Sequence, residues 1–211
     1  NAYHTESHVT ASGVTLHTHV GIAAICVQKF LDLDVTWTVA NNGSVDLALH
    51  AQRNTVFPEL PRFGLRLFLP QEMSQVNYYG MGPMECYCDK HHAASHNSYT
   101  ATVWQLHEDY IRPQENGSHF DCDYVMLAGD AVRLTAVGTQ PFSFNASHYT
   151  QEELTRKAHN YELEPCGSTV LCLDYAQNGI GSESCGPRLL EQYRLDDATF
   201  NFGLRLFPEK K

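Results

Sequence analysis

The residues best equipped for chemistry are concentrated in one segment, "GPMECYCDKHHAASH" at 82–96, which holds two cysteines, three histidines and two carboxylates. Thiolates, imidazoles and carboxylates are the usual zinc ligands, but a structural zinc site takes four of them from two separated pairs. Cys86 and Cys88 are only one residue apart, and the adjacent His91 and His92 would face opposite sides of an extended chain. We therefore predict packed thiols and surface histidines here, with no metal site.

The same segment contains the signals of a tight turn. Gly80, Gly82 and Pro83 directly follow a predicted strand, and these residue types favour a sharp, closely packed change of direction. Glu85 and Asp89 come after the turn at alternating positions, so we expect two carboxylates fixed on one side of the chain. The polar stretch that ends the segment, "AASHNS" at 93–98, is typical of a loop.

Composition limits the classes of protein to be considered. The chain has 211 residues, of which 43% are hydrophobic and 18% charged, as in folded globular proteins. Its formal net charge of -10 and its lack of a basic cluster argue against nucleic-acid binding. The longest apolar run, at 21–27, is far shorter than the roughly 20 residues that a bilayer requires, so we expect no membrane partner.

Seven cysteines at irregular spacings do not form the even-numbered framework of a disulfide-rich domain. We therefore predict free thiols in a reducing compartment, which favours a cytoplasmic location. The first residues carry no signal-peptide pattern.

Period-two alternation dominates the elements that must position these residues. In "LDLDVTWTVA" at 31–40 the apolar residues occupy one face, and with the turn at 41–44 and "VDLALHAQ" at 45–52 this predicts a β-hairpin. Only one helix is predicted, at 151–161, because Thr150 and Glu153 form a capping-box pattern in front of it. Further strands are predicted at 14–28, 63–70, 74–79, 101–111, 120–128, 140–145, 169–175, 188–195 and 202–208. This pattern indicates an all-β antiparallel sandwich forming one domain, residues 1–211.

Five segments form an ordered set of motifs: "PRFGLRL" at 61–67, "YGMGPMECYCDK" at 79–90, "DYIRPQENGSH" at 109–119, "FSFNASHYTQEELTRKAH" at 142–159 and "LDYAQNGIGSESCGP" at 173–187. Together they resemble the C-terminal domain, or small chain, of bacterial β-galactosidases of glycoside hydrolase family 2. The second segment resembles the signature G-x-G-P-x-E-x-Y-x-D-R. Lys90 departs from its final arginine, which keeps the charge but loses the bidentate fork.

The resemblance implies the hydrolysis of terminal β-D-galactosides, such as lactose, with retention of configuration. Retaining enzymes use two carboxyl groups about 5 Å apart. In the family both belong to a separate upstream barrel domain, which also holds any Mg²⁺ and Na⁺. A barrel needs about 250 residues, which this chain lacks. We therefore predict no catalytic residue and no cofactor here, and we interpret Glu115 and Glu183 as structural carboxylates.

The resemblance also implies that one segment, 179–187, reaches the edge of the active site of the assembled enzyme. Some members place an aromatic residue there to stack on the substrate, and the matching residue here is Cys185. A thiol offers only a small apolar contact, so a weaker or rearranged grip on the sugar is expected. Our predicted substrate-binding residues are Ser184 and Cys185, with Glu183 as a third.

The family domain is a large antiparallel supersandwich, similar to galactose mutarotase, and it begins several tens of residues before the point that matches Tyr3. We therefore expect this chain to lack the first strands of its domain and to belong to a larger multidomain enzyme. Its expected partners are the upstream barrel and sandwich domains and a galactoside substrate. Unpaired strand edges would favour β-pairing between copies, hence a homo-oligomer.

Two other functions stay open. The first is a stand-alone carbohydrate-binding module, and the second is a sugar mutarotase built on the same sandwich. A mutarotase needs an acid and a base, typically His and Glu, that converge in a cleft. The 12 histidines supply the residue type but no mutarotase-like motif, and fold similarity alone is weak support for function.

Overall fold

A computed structural model describes residues 1–179 and 188–211. In these ranges the chain forms strands joined by turns, three short 3-10 turns (Val103–Leu106, Asn160–Glu162 and Glu191–Tyr193) and one α-helix, α1 (Gln151–Arg156). The strands are β1 (Ala2–Thr10), β2 (Gly13–Ile22), β3 (Leu31–Ala40), β4 (Val45–Arg53), β5 (Arg62–Pro70), β6 (Gln75–Gly82), β7 (Ser95–Thr102), β8 (Ser118–Ala128), β9 (Val132–Ser147), β10 (Ser168–Gln177) and β11 (Thr199–Lys210).

All of the strand pairs are antiparallel, and they form one continuous sheet in the order β1-β2-β3-β4-β11-β9-β8-β6-β7. The sheet branches at β9, which pairs with β8 along one edge and is long enough to pair with two successive strands along the other. Its first half, 132–138, pairs with β11, and its second half, 143–147, pairs with β10, which in turn pairs with β5. The branch carries β10 and β5 over the main sheet, and this produces the second layer of a sandwich.

The core lies between these two layers. Leu67 of β5 packs in the same cluster as Leu204 of β11, although these strands share no hydrogen bonds. Phe142 and Phe144 of β9 are almost fully buried at the branch. Each large apolar side chain removed from water contributes about 1.5–3 kcal/mol. The all-β antiparallel sandwich predicted from the sequence is confirmed.

The 31–52 hairpin and the strands near 63–70, 74–79, 120–128, 169–175 and 202–208 are also confirmed. Strand 140–145 is the second half of the longer β9, and strand 14–28 ends at Ile22. The structure describes no helix long and apolar enough to cross a membrane.

Two predicted strands are wrong. At 101–111 the strand β7 stops at Thr102, whose hydroxyl accepts a hydrogen bond from the backbone of Gln105 and starts a 3-10 turn. At 188–195 the chain makes another 3-10 turn, Glu191–Tyr193, where apolar alternation is absent.

Conversely, β1 and β7 were missed because their sequences are polar. Every residue of β1 is exposed, so it carries no burial pattern. His96, which was predicted in a loop, lies in β7.

The predicted helix exists but is shorter than its apolar spacing suggested. The Thr150 hydroxyl accepts a hydrogen bond from the Glu153 backbone at 3.1 Å, as the capping pattern predicted. The helix ends at Arg156, and Tyr161 is not on it. The reason is local, since the backbone N–H groups of Ala158 and His159 donate to the carboxylate of Glu162, the last residue of the next 3-10 turn.

Candidate functional site

The sequence predicts Gly80 and Gly82 in a turn, but they lie at the end of β6 itself, where both are closely packed. A Cβ at Gly80 would overlap the Cys122 thiol, and one at Gly82 would overlap the phenol oxygen of Tyr78. Only glycine permits such an approach of the backbone to a neighbouring side chain. These close contacts fix the end of β6 and therefore the start of the turn that carries Glu85.

Glu85 is a carboxylate saturated with hydrogen bonds. It accepts from the hydroxyls of Tyr87 (3.0 Å) and Tyr110, from the Gly117 backbone N–H at 2.9 Å and from the Lys90 ammonium at 3.1 Å. Burial acts to raise the pKa of Glu85, but these donors outweigh it and hold the pKa below its ordinary value. Lys90 thus provides the pairing charge, and Glu85 ties the turn to the 110–117 segment.

The thiols and histidines of this segment are packed side chains or surface groups. The Cys86 thiol donates to the Met81 carbonyl at 3.4 Å and accepts from the Phe120 N–H at 3.2 Å, and burial raises its pKa. His91 is half-buried against Phe120, with ring centroids 5.4 Å apart, and His92 is exposed. In the described part of the chain, no group of three or more His, Cys, Asp or Glu side chains is arranged to hold a metal ion.

Asp89 supports the first residue of the predicted substrate segment. Its carboxyl group lies where a Cβ of Gly179 would project, so any other residue at 179 would overlap it. Asp89 comes from the turn motif and Gly179 follows the end of β10 by two residues, so the two are far apart in the sequence. The structure therefore brings two of the five motifs into direct contact.

The chain on both sides of 179–187 is held by further hydrogen bonds. The Cys88 thiol donates to the carbonyls of Gln177 (3.5 Å) and Tyr193 (3.6 Å), and burial raises its pKa to about 11, which keeps the donor proton in place at neutral pH. The Asn178 side chain accepts from the backbone N–H of Leu195 at 2.7 Å. Leu195 is buried and bridges to Leu60. The two chain segments that flank 179–187 are thereby fixed to each other.

A partly buried ion-pair network joins β5 to β10 near these flanking segments. The Arg62 guanidinium donates to both carboxylate oxygens of Asp174, at 2.9 and 2.6 Å, and to Glu115 at 2.8 Å. Burial raises the pKa of Asp174 to about 6 against the opposing effect of Arg62, so the carboxylate is ionised at neutral pH. Burial acts to lower the pKa of Arg62, but its partners outweigh this and keep it above its ordinary value. Glu115 is thus paired with an arginine.

The three predicted substrate-binding residues, Glu183, Ser184 and Cys185, lie outside the described residues. The structure describes the residues on either side, Gly179 and Arg188. The sequence predicts a packed thiol at Cys88 and does not reveal its anchoring role. Only three-dimensional proximity shows that it joins Gln177 to Tyr193.

Comparison with known proteins gives the context of this site. A family model described as "Beta galactosidase small chain" matches residues 1–206. The chain belongs to this family. A β-galactosidase of Actinobacillus pleuropneumoniae is 43% identical over 209 residues, which cover 99% of this chain and 20% of the relative. One of Staphylococcus xylosus is 40% identical over 193 residues, or 92% of this chain and 19% of the relative. The chain thus spans about a fifth of the length of these relatives.

Solved structures identify the fold. A galactose 1-epimerase from Lactobacillus acidophilus aligns with 98% of this chain and 66% of its own, with a TM-score of 0.54 and 9% sequence identity. This likeness establishes a galactose mutarotase-like fold, as the sequence predicted. At this identity it says nothing about which reaction the chain supports.

Proposed function

We propose that this chain is a non-catalytic domain of a retaining β-galactosidase that buttresses the barrel domain and contributes residues 179–187 to the rim of the active site. The proposal rests mainly on the contact between Asp89 and Gly179, because it ties the turn motif to the base of that segment. A rim segment that grips a substrate needs such a support, since small displacements of positioning groups lower reaction rates substantially.

The carboxylates near this base support a structural role. Retaining hydrolysis requires a nucleophile and an acid/base group about 5 Å apart that are free to reach the glycosidic bond. Asp174 and Glu115 are both bound to Arg62, and Glu85 accepts hydrogen bonds from four donors. Groups engaged in this way are poorly suited to exchanging protons with a substrate. In this proposal the catalytic carboxylates, with any Mg²⁺ or Na⁺, belong to the barrel, and the enzyme works in the cytoplasm.

The test is the hydrolysis of a chromogenic β-galactoside by the chain alone and after mixing with the upstream part of its parent enzyme. We expect no turnover by the chain alone and activity on mixing. Turnover by the chain alone would place the reaction within it and contradict the non-catalytic assignment. A mixture in which the two parts associate but stay inactive would contradict the supporting role.

A further inference from the structure

A cavity of about 340 Å³ opens beside Cys88, Gln177 and Tyr193, which anchor the chain on both sides of 179–187. This volume is at the lower end of the range for small-molecule sites, about 300–1,000 Å³. Its walls come from β8, β9 and β10 and from the segment that follows Arg188. The residues that matter for its chemistry are Phe120, Asp121, Gln140, Tyr175, Gln177 and Asp197.

The cavity lies where neighbouring strands depart from regular pairing. In β8 the register with β9 shifts on both sides of Cys122, and Asp121 adopts the left-handed conformation with φ of 55°. In β10 the register with β5 shifts between Asp174 and Ala176, so that Tyr175 lies at an irregularity. Bulges of this kind redirect side chains and are over-represented beside functional sites. A left-handed aspartate carries backbone strain that surrounding structure must maintain.

One wall of the cavity contains a hydrogen-bond donor without an acceptor. Gln177 is only 7% exposed, and its side-chain Nε2 has no hydrogen-bond partner among the described residues. An unsatisfied buried amide costs about 1–3 kcal/mol. The Nε2 atom has almost no accessible surface, so a ligand oxygen reaches this donor only after the Gln177 amide turns toward the cavity.

The remaining walls have the chemistry of a carbohydrate site. The Tyr175 ring is held by stacking on Phe200, with centroids 4.4 Å apart and planes at 12°, and its hydroxyl donates to Asp197 at 3.2 Å. A fixed aromatic ring suits the C–H face of a sugar. Asp121 and Asp197 supply carboxylate acceptors for hydroxyl groups, and Gln140 supplies a second amide.

We propose that this cavity binds an uncharged hexose. Two carboxylates against the single guanidinium of Arg194 disfavour an anionic ligand such as a sugar phosphate. This cavity would give the galactoside-hydrolysing enzyme of the proposed function an additional sugar-binding site, formed by the described residues themselves. No reaction of the bound hexose is proposed.

The experiment uses the native polypeptide that contains these residues, treated first with a fluorinated galactoside that traps the covalent intermediate of retaining galactosidases. Labelling reports on the proposed function. Binding of galactose and of glucose to the treated protein, measured by saturation-transfer NMR and calorimetry, reports on the cavity. The two readouts are separate, so the absence of labelling leaves the cavity test valid.

Two variants assign the binding to the cavity. Asp121→Gly removes a carboxylate at a backbone conformation that glycine adopts freely, so the fold is retained. Gln177→Leu removes the unpartnered donor. We expect each to weaken hexose binding at least tenfold, while Gln75→Leu, at an exposed position of β6, leaves it unchanged. No hexose binding to the treated protein, or equal binding by both variants and the unaltered protein, would overturn the proposal.

Discussion

The carboxyl group of Asp89 occupies the space into which a side chain at Gly179 would extend. The turn motif at 79–90 therefore contacts Gly179, the residue at which the segment 179–187 begins. A change at either residue should alter the base of the rim segment without removing any group that touches substrate in our proposal.

Replacing Gly179 by alanine tests this contact. The added methyl group must displace Asp89 or shift the chain at 179, so we expect kcat/KM for a β-galactoside to fall at least tenfold in the assembled enzyme. The double variant Gly179→Ala with Asp89→Ala removes the overlap and should recover part of the loss, which a double-mutant cycle measures.

Gly129→Ala is the matched control for this substitution. A Cβ there meets the Glu72 side chain at 3.1 Å and the Glu72 backbone at 3.3 Å, which a shift of a few tenths of an ångström relieves, so activity should be close to that of the unaltered enzyme. Equal activity of Gly179→Ala and Gly129→Ala would show that the Asp89 contact does not support the site.

The Arg62 network gives a prediction about stability. Arg62→Lys keeps one charge but cannot donate to both oxygens of Asp174 and to Glu115 simultaneously. Because Asp174 is 2% exposed, the carboxylate oxygen that loses its donor is not reached by water, and this should destabilise the fold by about 1–3 kcal/mol. Chemical denaturation measures the change.

Arg205→Lys is the control for this prediction, because Arg205 makes a similar bidentate pair with Asp46 on the exposed surface. Exposed pairs contribute roughly 0–1 kcal/mol, so this variant should lose little stability. A small effect at Arg62, comparable with that at Arg205, would contradict a structural role for the network.

The fold and the family-related turn could be predicted because both depend on local patterns of residue types in the sequence. Leu31, Leu33 and Val35 alternate with polar residues, and the glycines before Glu85 mark a close approach of the β6 backbone to neighbouring side chains that only glycine permits. β1 has no such pattern, because the burial that produces alternation is absent along it. The anchoring role of Cys88 was equally inaccessible, since it depends on β10 and the segment around Tyr193 meeting in space. The Asp121 cavity arises from irregular pairing, which residue types alone do not specify.

Burial of His119 predicts acid sensitivity. The ring is 1% exposed, stacked on Phe144 and close to Tyr78, and burial lowers its pKa to about 4 from the ordinary 6.5. The unfolded state therefore takes up a proton at a higher pH than the folded state does. Stability should fall as the pH decreases from about 6.5 to about 4, by about 3 kcal/mol from this group alone.

His119→Phe should flatten this part of the stability profile, because phenylalanine does not titrate and keeps the aromatic packing. At neutral pH it should cost about 1 kcal/mol, since the Met81 carbonyl, 3.2 Å from the His119 ring nitrogen, loses that partner. The exposed His92→Phe is the control and should leave the pH dependence unchanged. A profile that is equally steep in His119→Phe would assign the acid sensitivity to other groups.

The exposed edge of β1 predicts self-association of the isolated chain. All nine residues of β1 are exposed, and within residues 1–179 and 188–211 it pairs with β2 alone, so its outer edge presents backbone groups that these residues leave unpaired. Such edges form sheets with other copies unless a charge or a bulge prevents it. We expect light scattering to give a dimer or larger species. Val9→Lys, at a residue 81% exposed, should shift the mass toward the monomer, whereas Val56→Lys, at an 88% exposed position outside the strands, should not. A strictly monomeric mass for the unaltered chain would exclude association through this edge.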